Sequence, residues 1–372
     1  LTSPQDHWAF APPKMKEPPA TSATWVRNDV DRFLAKTLDA NGLTPANEAS
    51  KDVLLRRVYL DLIGVPPTRD QRRKFLDDLS PDAFESVVDQ LLDSPLYGQR
   101  WARHWMDVWR YSDPSGYGNE IRDGRQHIWH WRDWIVQSLN EDVGYDQMIV
   151  EMLAADEAFP GDVDKSRATG FLARNWYKFN RNVWLDNIVE HSSKAFLGLT
   201  TNCSRCHDHK YDPISQSDYY SIRAIFETHD VRDTPAHGDG EIIVRAYDVD
   251  VTRPTYLFAQ GNERTPDETQ PLSPSVPKIL AGQFAIVPVK LPVTAYYPAM
   301  RPSVHRNEDA MLTRAVQTAE KNWQAANSQL AISRKRMKER AEEPKVAADV
   351  PKTPTATNPT ATNPTATIIH KD

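Results

Sequence analysis

From Trp25 to Thr228 apolar residues recur at helical spacing, and no convincing alternating strand pattern interrupts them. A stretch of that length with a helical period buries its apolar faces by packing helix against helix. The expected fold class is mainly α: a multi-helical module, a small irregular β-containing segment, one long heptad-patterned helix and a disordered tail. In boundaries this gives residues 1–22 as an extended N-terminal arm and 23–232 as the all-α module. Residues 233–304 form a Pro-rich segment with short strands, 305–345 the long amphipathic helix and 346–372 the Pro/Thr repeat tail.

Local signals place the elements. The arm carries Pro4, Pro12, Pro13, Pro18 and Pro19, with Trp8 and Phe10 as anchors. A first helix runs from Trp25 through Val26, Val30, Phe33, Leu34 and Leu38 and stops at Asn41-Gly42. A second, about 47–63, turns Leu54, Leu55, Val58, Tyr59 and Leu62 inward and halts at Gly64-Val65-Pro66-Pro67. Helices follow at about 68–79 and 81–92, the latter opening on Ser80-Pro81 as cap and first helical residue. Aromatic-rich helices are expected at Tyr97–Arg110 and about 126–140, and further ones at about 145–155, 183–198 and 215–228. Strand-like runs appear at Glu241–Tyr247 and Thr255–Ala259. Leu312, Val316, Ala319, Trp323, Ala326, Leu330, Ser333 and Met337 alternate four and three apart, an a/d seam that suits self-association through residues 312–337.

Composition removes several classes of function. The 51 acidic against 45 basic residues leave no electrostatic footprint for nucleic acid. No run of eighteen apolar residues is present, so no transmembrane segment is expected. The first residue is Leu1, which fits an export signal that has been removed or that lies outside this stretch of sequence.

Chemistry concentrates at Cys203-Ser204-Arg205-Cys206-His207, followed by Asp208-His209-Lys210-Tyr211-Asp212-Pro213. The stretch uses both cysteines of the chain. Two thiols three residues apart can add across the vinyl groups of a haem, and the adjacent imidazole can take the iron as proximal ligand. Covalent haem c is therefore the expected cofactor, with Cys203 and Cys206 as attachments and His207 on the iron. Eleven tryptophans are available to line a flat cofactor, although a core is their commoner use. A tetrahedral zinc site using Cys203, Cys206 and His207 or His209 is the alternative cofactor, and a reduced structural pair is the plain reading.

Other residues compete for lesser roles. His104 is the candidate distal ligand, with His127, His130, His191, Met106 and Met152 as further options. Arg122 and Arg125 are candidate partners for haem propionates, as are Arg110 and Arg132, though each suits an ordinary ion pair. Asp107, Asp113 and Asp133 more commonly cap helices or pair with arginine than act in chemistry. Asp208 and Asp212 beside His209 suit either a calcium ion or the orientation of the histidines.

Several long words of the sequence point to one family. They include His7-Trp8-Ala9-Phe10, Leu55-Arg56-Arg57-Val58-Tyr59-Leu60-Asp61-Leu62-Ile63-Gly64-Val65-Pro66-Pro67-Thr68 and Tyr97-Gly98-Gln99-Arg100-Trp101-Ala102-Arg103-His104-Trp105-Met106-Asp107-Val108. Trp131-Arg132-Asp133-Trp134, Ala168–Leu172, Phe196–Thr200, the Cys203–Tyr220 run and Arg253–Phe258 with Gly261-Asn262 continue the series. On these words the chain resembles the planctomycete-type cytochrome c-like family of exported proteins, over about residues 7–280. The resemblance implies a periplasmic or extracellular location and haem at Cys203, Cys206 and His207. Family members commonly carry an upstream cytochrome c-like domain and a further downstream domain, neither of which is recognisable here.

The expected function is an exported c-type haem module passing electrons to a redox partner protein within a larger redox or polymer-processing system. A peroxidase-like or glycan-directed oxidoreductase, and a non-redox scaffold with a zinc or structural cysteine site, are the alternatives.

Overall fold

The computed structural model describes residues 8–112, 127–177, 179–236, 241–280, 285–297 and 300–342 of the 372. The described residues divide into two compact units, one ending at Ala310 and the next beginning at Met311. The chain is mainly helical with two small antiparallel sheets, as its periodicity predicts.

Helices begin where side chains can satisfy the first free N–H groups. α1 (Asp29–Ala40) opens on a reciprocal box between Asn28 and Asp31. That box puts the true start at Asp29, four residues beyond Trp25. α2 (Lys51–Leu62) follows, and α3 (Arg69–Asp77) starts on a second box, Thr68 with Gln71. α4 (Ala83–Leu92) begins later than Ser80-Pro81 suggests. Ser80 turns its N–H and hydroxyl back onto Asp78 Oδ1, at 2.9 and 2.5 Å, and Asp82 takes the N-cap position instead. α5 (Pro95–Trp109) has Ser94 as cap and proline in its first turn. α6 (Trp129–Asn140) and α7 (Tyr145–Ala158) follow. Two single-turn helices, α8 (Val163–Ser166) and α9 (Gly170–Ala173), flank a 3₁₀ turn, Arg167–Thr169. α10 (Arg181–Ser192) widens into a π turn at Ser193–Leu197, and α11 (Gln216–Phe226) starts on the Ser215–Asp218 box.

The first unit has two main apolar clusters. Leu55, Tyr59, Phe75 and Leu91 close a small one among α2, α3 and α4. The larger one gathers Trp109, Trp131, Trp134, Phe171, Trp184, Tyr219 and Tyr220 from α5, α6, α9, α10 and α11. Trp131 meets Phe171 edge-on, ring centres 5.9 Å apart. Gly170 makes this approach feasible, since a Cβ there would stand 2.5 Å from Trp131 Cβ. The buried indoles are also satisfied where they can be: Trp184 Nε1 donates to Leu172 O (2.8 Å) and Trp134 Nε1 to Glu151 (3.0 Å). Truncating a ring so placed costs roughly 3–5 kcal/mol. By contrast Val30, Phe33 and Leu34 of α1 stay exposed, and only Ala35 of that helix is buried.

β1 (His229–Pro235) pairs antiparallel with β2 (Ile242–Asp248), from His229 opposite Asp248 to Pro235 opposite Ile242. β3 (Thr255–Phe258) pairs with β4 (Pro266–Leu272), with an irregularity between Thr255 and Leu257. β2 and β3 match the strand-like runs, whereas β1 and β4 have no such signal. His-Asp-Val-Arg-Asp-Thr-Pro and Pro-Asp-Glu-Thr-Gln-Pro-Leu are too polar and proline-bearing to read as strands, and partner pairing alone makes them so. α12 (Val293–Tyr296) precedes α13 (Pro302–Glu342). On α13, Leu312, Val316, Trp323, Leu330 and Met337 are all exposed, so the heptad seam has no partner among the described residues. No described helix is long and apolar enough to cross a membrane.

Carboxylates tie α7 to the first sheet. Asp156 Oδ2 accepts from Asp248 N at 3.0 Å, and Thr228 Oγ1 donates to Asp248. Glu157 shares a hydrogen bond with Asp248, and this bond together with burial raises its carboxyl to about 8. The folded state therefore holds a proton that the unfolded chain gives up near its ordinary glutamate value. This contribution is fully present below that value and is lost as pH rises through about 8. Urea midpoints measured from pH 5 to 9 should fall across that interval, and Glu157→Gln should flatten the fall.

Candidate functional site

α10 ends through its π turn at Gly198, and the chain then tightens into a 3₁₀ turn, Asn202–Arg205. Ser204 is buried in this turn. Its N–H donates to Thr201 O (2.9 Å) and its hydroxyl to Ile214 O (3.3 Å). Cys206 N closes back on Cys203 O at 3.5 Å. Cys203, Cys206 and His207 are exposed, and both cysteines are free thiols.

α11 and β3 clamp the turn from beneath. Arg205 O accepts from Tyr220 OH (3.2 Å) and from Gln216 Nε2 (2.9 Å), and the same amide reaches Phe258 O at 3.0 Å. The Arg205 guanidinium pairs with Asp186 of α10 at 2.8 Å. Asp186 also accepts from Tyr219 OH (2.7 Å) and lies 3.6 Å from Arg223, which in turn bonds Glu227 at 2.9 Å. Burial, reinforced by Asp186, pushes the Tyr219 hydroxyl far above its ordinary range, so it stays a donor. The turn is thus seated on a buried, charge-compensated network.

The residues after Cys206 are held just as firmly. Asp208 Oδ1 accepts from Gln216 N at 2.8 Å, a carboxylate at the start of α11 where the helix dipole favours it. His209 folds the loop: its N–H donates to Ile214 O (2.8 Å), and its Nδ1 accepts from Asp212 N at 2.8 Å, which leaves the ring proton on Nε2. His209 is therefore a loop brace. His207 lies outside this arrangement, with Nδ1 2.7 Å from Asp208 O. Gly261, at φ +72°, passes directly over Cys206; a Cβ there would lie 2.5 Å from the sulfur. Nothing in the sequence flags the nearness of Gly261, Gln216, Tyr220 or Asp186 to the cysteines, which only tertiary packing creates.

The other expected site residues disperse. His104 is exposed on α5 with its ring 5.5 Å from Trp101. His130 is buried against Trp129, Met152 is buried in the core, and Met106 packs against that core. Asp107 pairs with Arg103, and Asp133 with Arg132. Arg122, Arg125 and Asp113 lie outside the described residues.

The cofactor expectation is corrected. Among the described residues no group of three or more His, Cys, Asp or Glu side chains is arranged to hold a metal ion. That removes the zinc alternative and gives the iron of haem c no ligand set. The tryptophans expected to wall a porphyrin are instead spent on packing, with Trp109, Trp131 and Trp184 fully buried. The cavity nearest the turn, about 390 Å³, is lined by Asp208, His209, Asp212, Asp218 and Lys278 among others, and by neither cysteine. A macrocycle needs apolar walls, and this cavity offers charge.

With the geometry established, the chain can be assigned: residues 29–231 match PSCyt2, described as a protein of unknown function (DUF1549), and the chain belongs to that family. The match brings no haem assignment. Neither the curated proteins nor the solved structures yield a match.

Gly261 gives a direct test of the clamp. Gly261→Ala should destabilise the fold by roughly 1–3 kcal/mol, through the positive φ and the collision with Cys206. Alkylation followed by peptide mapping should show Cys206 reacting faster than in the parent, with Cys203 unchanged.

Proposed function

We propose that the Cys203–Cys206 turn is a dithiol electron-transfer site, acting with a redox partner protein outside the cytoplasm. The observation that carries this reading is the turn itself. Two exposed thiols stand at its ends, and the Cys206 N–H closes on Cys203 O. A turn closed in that way holds its end Cα atoms within about 7 Å, and a disulfide needs roughly 4.4–6.8 Å. The rigid seat on Tyr220, Gln216 and Asp186 keeps the sulfurs in place while leaving them open to a macromolecule.

The exchange balances without any further reagent. One sulfur attacks a disulfide of the partner, forming a mixed disulfide and releasing one partner thiol. The second sulfur then displaces the partner, leaving a Cys203–Cys206 disulfide and a fully reduced partner; two electrons and two protons have moved to it. An exported setting suits this chemistry, since such pairs persist in oxidised form there.

Equilibration against glutathione buffers, read by thiol trapping and intact mass, tests the reading. The expected result is one two-electron transition that vanishes in Cys203→Ser and in Cys206→Ser. Persistent glutathione adducts with no internal disulfide would sink the idea.

A second reading rests on α13, whose apolar seam at Leu312, Val316, Trp323, Leu330 and Met337 is exposed along its length. A second copy of the helix would cover residues 312–337 and remove these side chains from water. Sedimentation should show concentration-dependent association that Trp323→Glu weakens. A chain monomeric at every concentration reached would end this reading.

A further inference from the structure

A second site sits where the C-terminus of α5 and the residue after α9 supply two guanidinium groups with no ion pair among the described residues, beside an imidazole from the last turn of α10. Arg174 lies flat on the Phe171 ring, 4.2 Å from its centre, and its Nη1 donates to Phe171 O. Its Nε and Nη2 are closed off from solvent and have no hydrogen-bond partner. Those two nitrogens form one edge of the guanidinium. Elsewhere in the chain the same edge grips a carboxylate: Arg72 holds Asp52 through Nε at 2.6 Å and Nη2 at 2.9 Å. On Arg174 that fork is empty-handed. His191 Nδ1 is likewise buried without a partner.

Two guanidinium groups and a neutral imidazole come within electrostatic reach of one another here. Arg110, in the left-handed conformation that caps α5, lies within electrostatic reach of both Arg174 and His191. The carboxylate nearest to His191, Glu190, is engaged by Lys194. Among the described residues neither Arg110 nor Arg174 has an ion pair. Burial, with the neighbouring Arg110, brings Arg174 down to about 9. Burial, with Arg174 and then Arg110, takes His191 down to about 4. The closed-off edge of the Arg174 guanidinium is thus left without an acceptor, which is costly.

We propose that Arg174, Arg110 and His191 form a binding site for a small oxyanion group, two of whose oxygens occupy the free Nε–Nη2 edge of Arg174. The fork suits a carboxylate, and equally the paired oxygens of a sulfate or phosphate group. The site is independent of the cysteine turn, so it stands or falls apart from the dithiol reading.

The test uses the full chain with sodium acetate, sulfate and phosphate in turn, against sodium chloride at matched ionic strength. At least one oxyanion should raise Tm saturably where chloride does not. Which of the three does so separates a carboxylate ligand from a tetrahedral one. Arg174→Lys keeps the charge and loses the fork, and should weaken the effect roughly ten-fold or more. The His191 ring, followed by NMR, adds a readout that does not depend on the variant folding. Its titration answers to Arg174, Arg110, Glu190 and Lys194, and bound oxyanion should raise it from about 4 towards the ordinary range. Chloride matching all three oxyanions, an undiminished effect in Arg174→Lys, or an unmoved His191 would overturn the proposal.

Discussion

The contact between Trp131 and Phe171 is the one on which the first unit depends. It brings α6 and α9 together over Gly170, a position that admits no side chain. Phe171 then carries the packing outward: its ring meets Phe196 beyond α10 at 5.1 Å, and Arg174 lies across it. Tyr111, just past the end of α5, leans on Trp131 from the other side at 5.6 Å. A single edge-to-face pair thus sets the spacing of four segments, and a protein interior packed to crystal-like density transmits any change in it.

That spacing has chemical consequences at both sites. α10 is placed so that Asp186 reaches Arg205 on one side while His191 comes within range of Arg174 on the other. The cysteine turn is therefore seated by the helix that also supplies a member of the Arg174 cluster. The core uses Trp109, Trp131 and Trp184 to fix positions, and these rings are not free to enclose a flat cofactor. Haem c and zinc fail because the described residues gather no metal-holding group of side chains around the exposed cysteines, and the fully buried tryptophans are committed to packing.

The helical fold was legible in the sequence because periodicity and breakers are local. Leu55 and Tyr59 point inward where their spacing says they should, and Pro66-Pro67 stops α2 as expected. Start points were less legible, since a cap depends on how the preceding turn folds, as Ser80 folded back on Asp78 shows. β1 and β4 were invisible because pairing, a long-range event, makes strands of polar segments. The cysteine turn was legible as a reactive spacing. Its cofactor was misread, because a spacing of thiols and imidazole says nothing about what surrounds it. Gly261 and Asp186 lie 55 residues after and 20 residues before Cys206, and no local pattern links them.

Charge compensation separates what the fold has finished from what it has left open. Arg223 is buried, and it sits between Asp186 and Glu227 with Asn182 as a further acceptor. Arg245 is equally buried, and its guanidinium reaches Ala295 O and stacks on Tyr247. Arg223 follows the rule that an interior cation must be met by acceptors or opposite charge, whereas Arg245 meets it only in part, since its Nε has no hydrogen-bond partner. Arg174 departs from it, because one nitrogen is satisfied and the bidentate edge is not. Its neighbour Arg110 adds like charge. The free edge of Arg174 finds no acceptor among the described residues, and an oxyanion from outside would supply one.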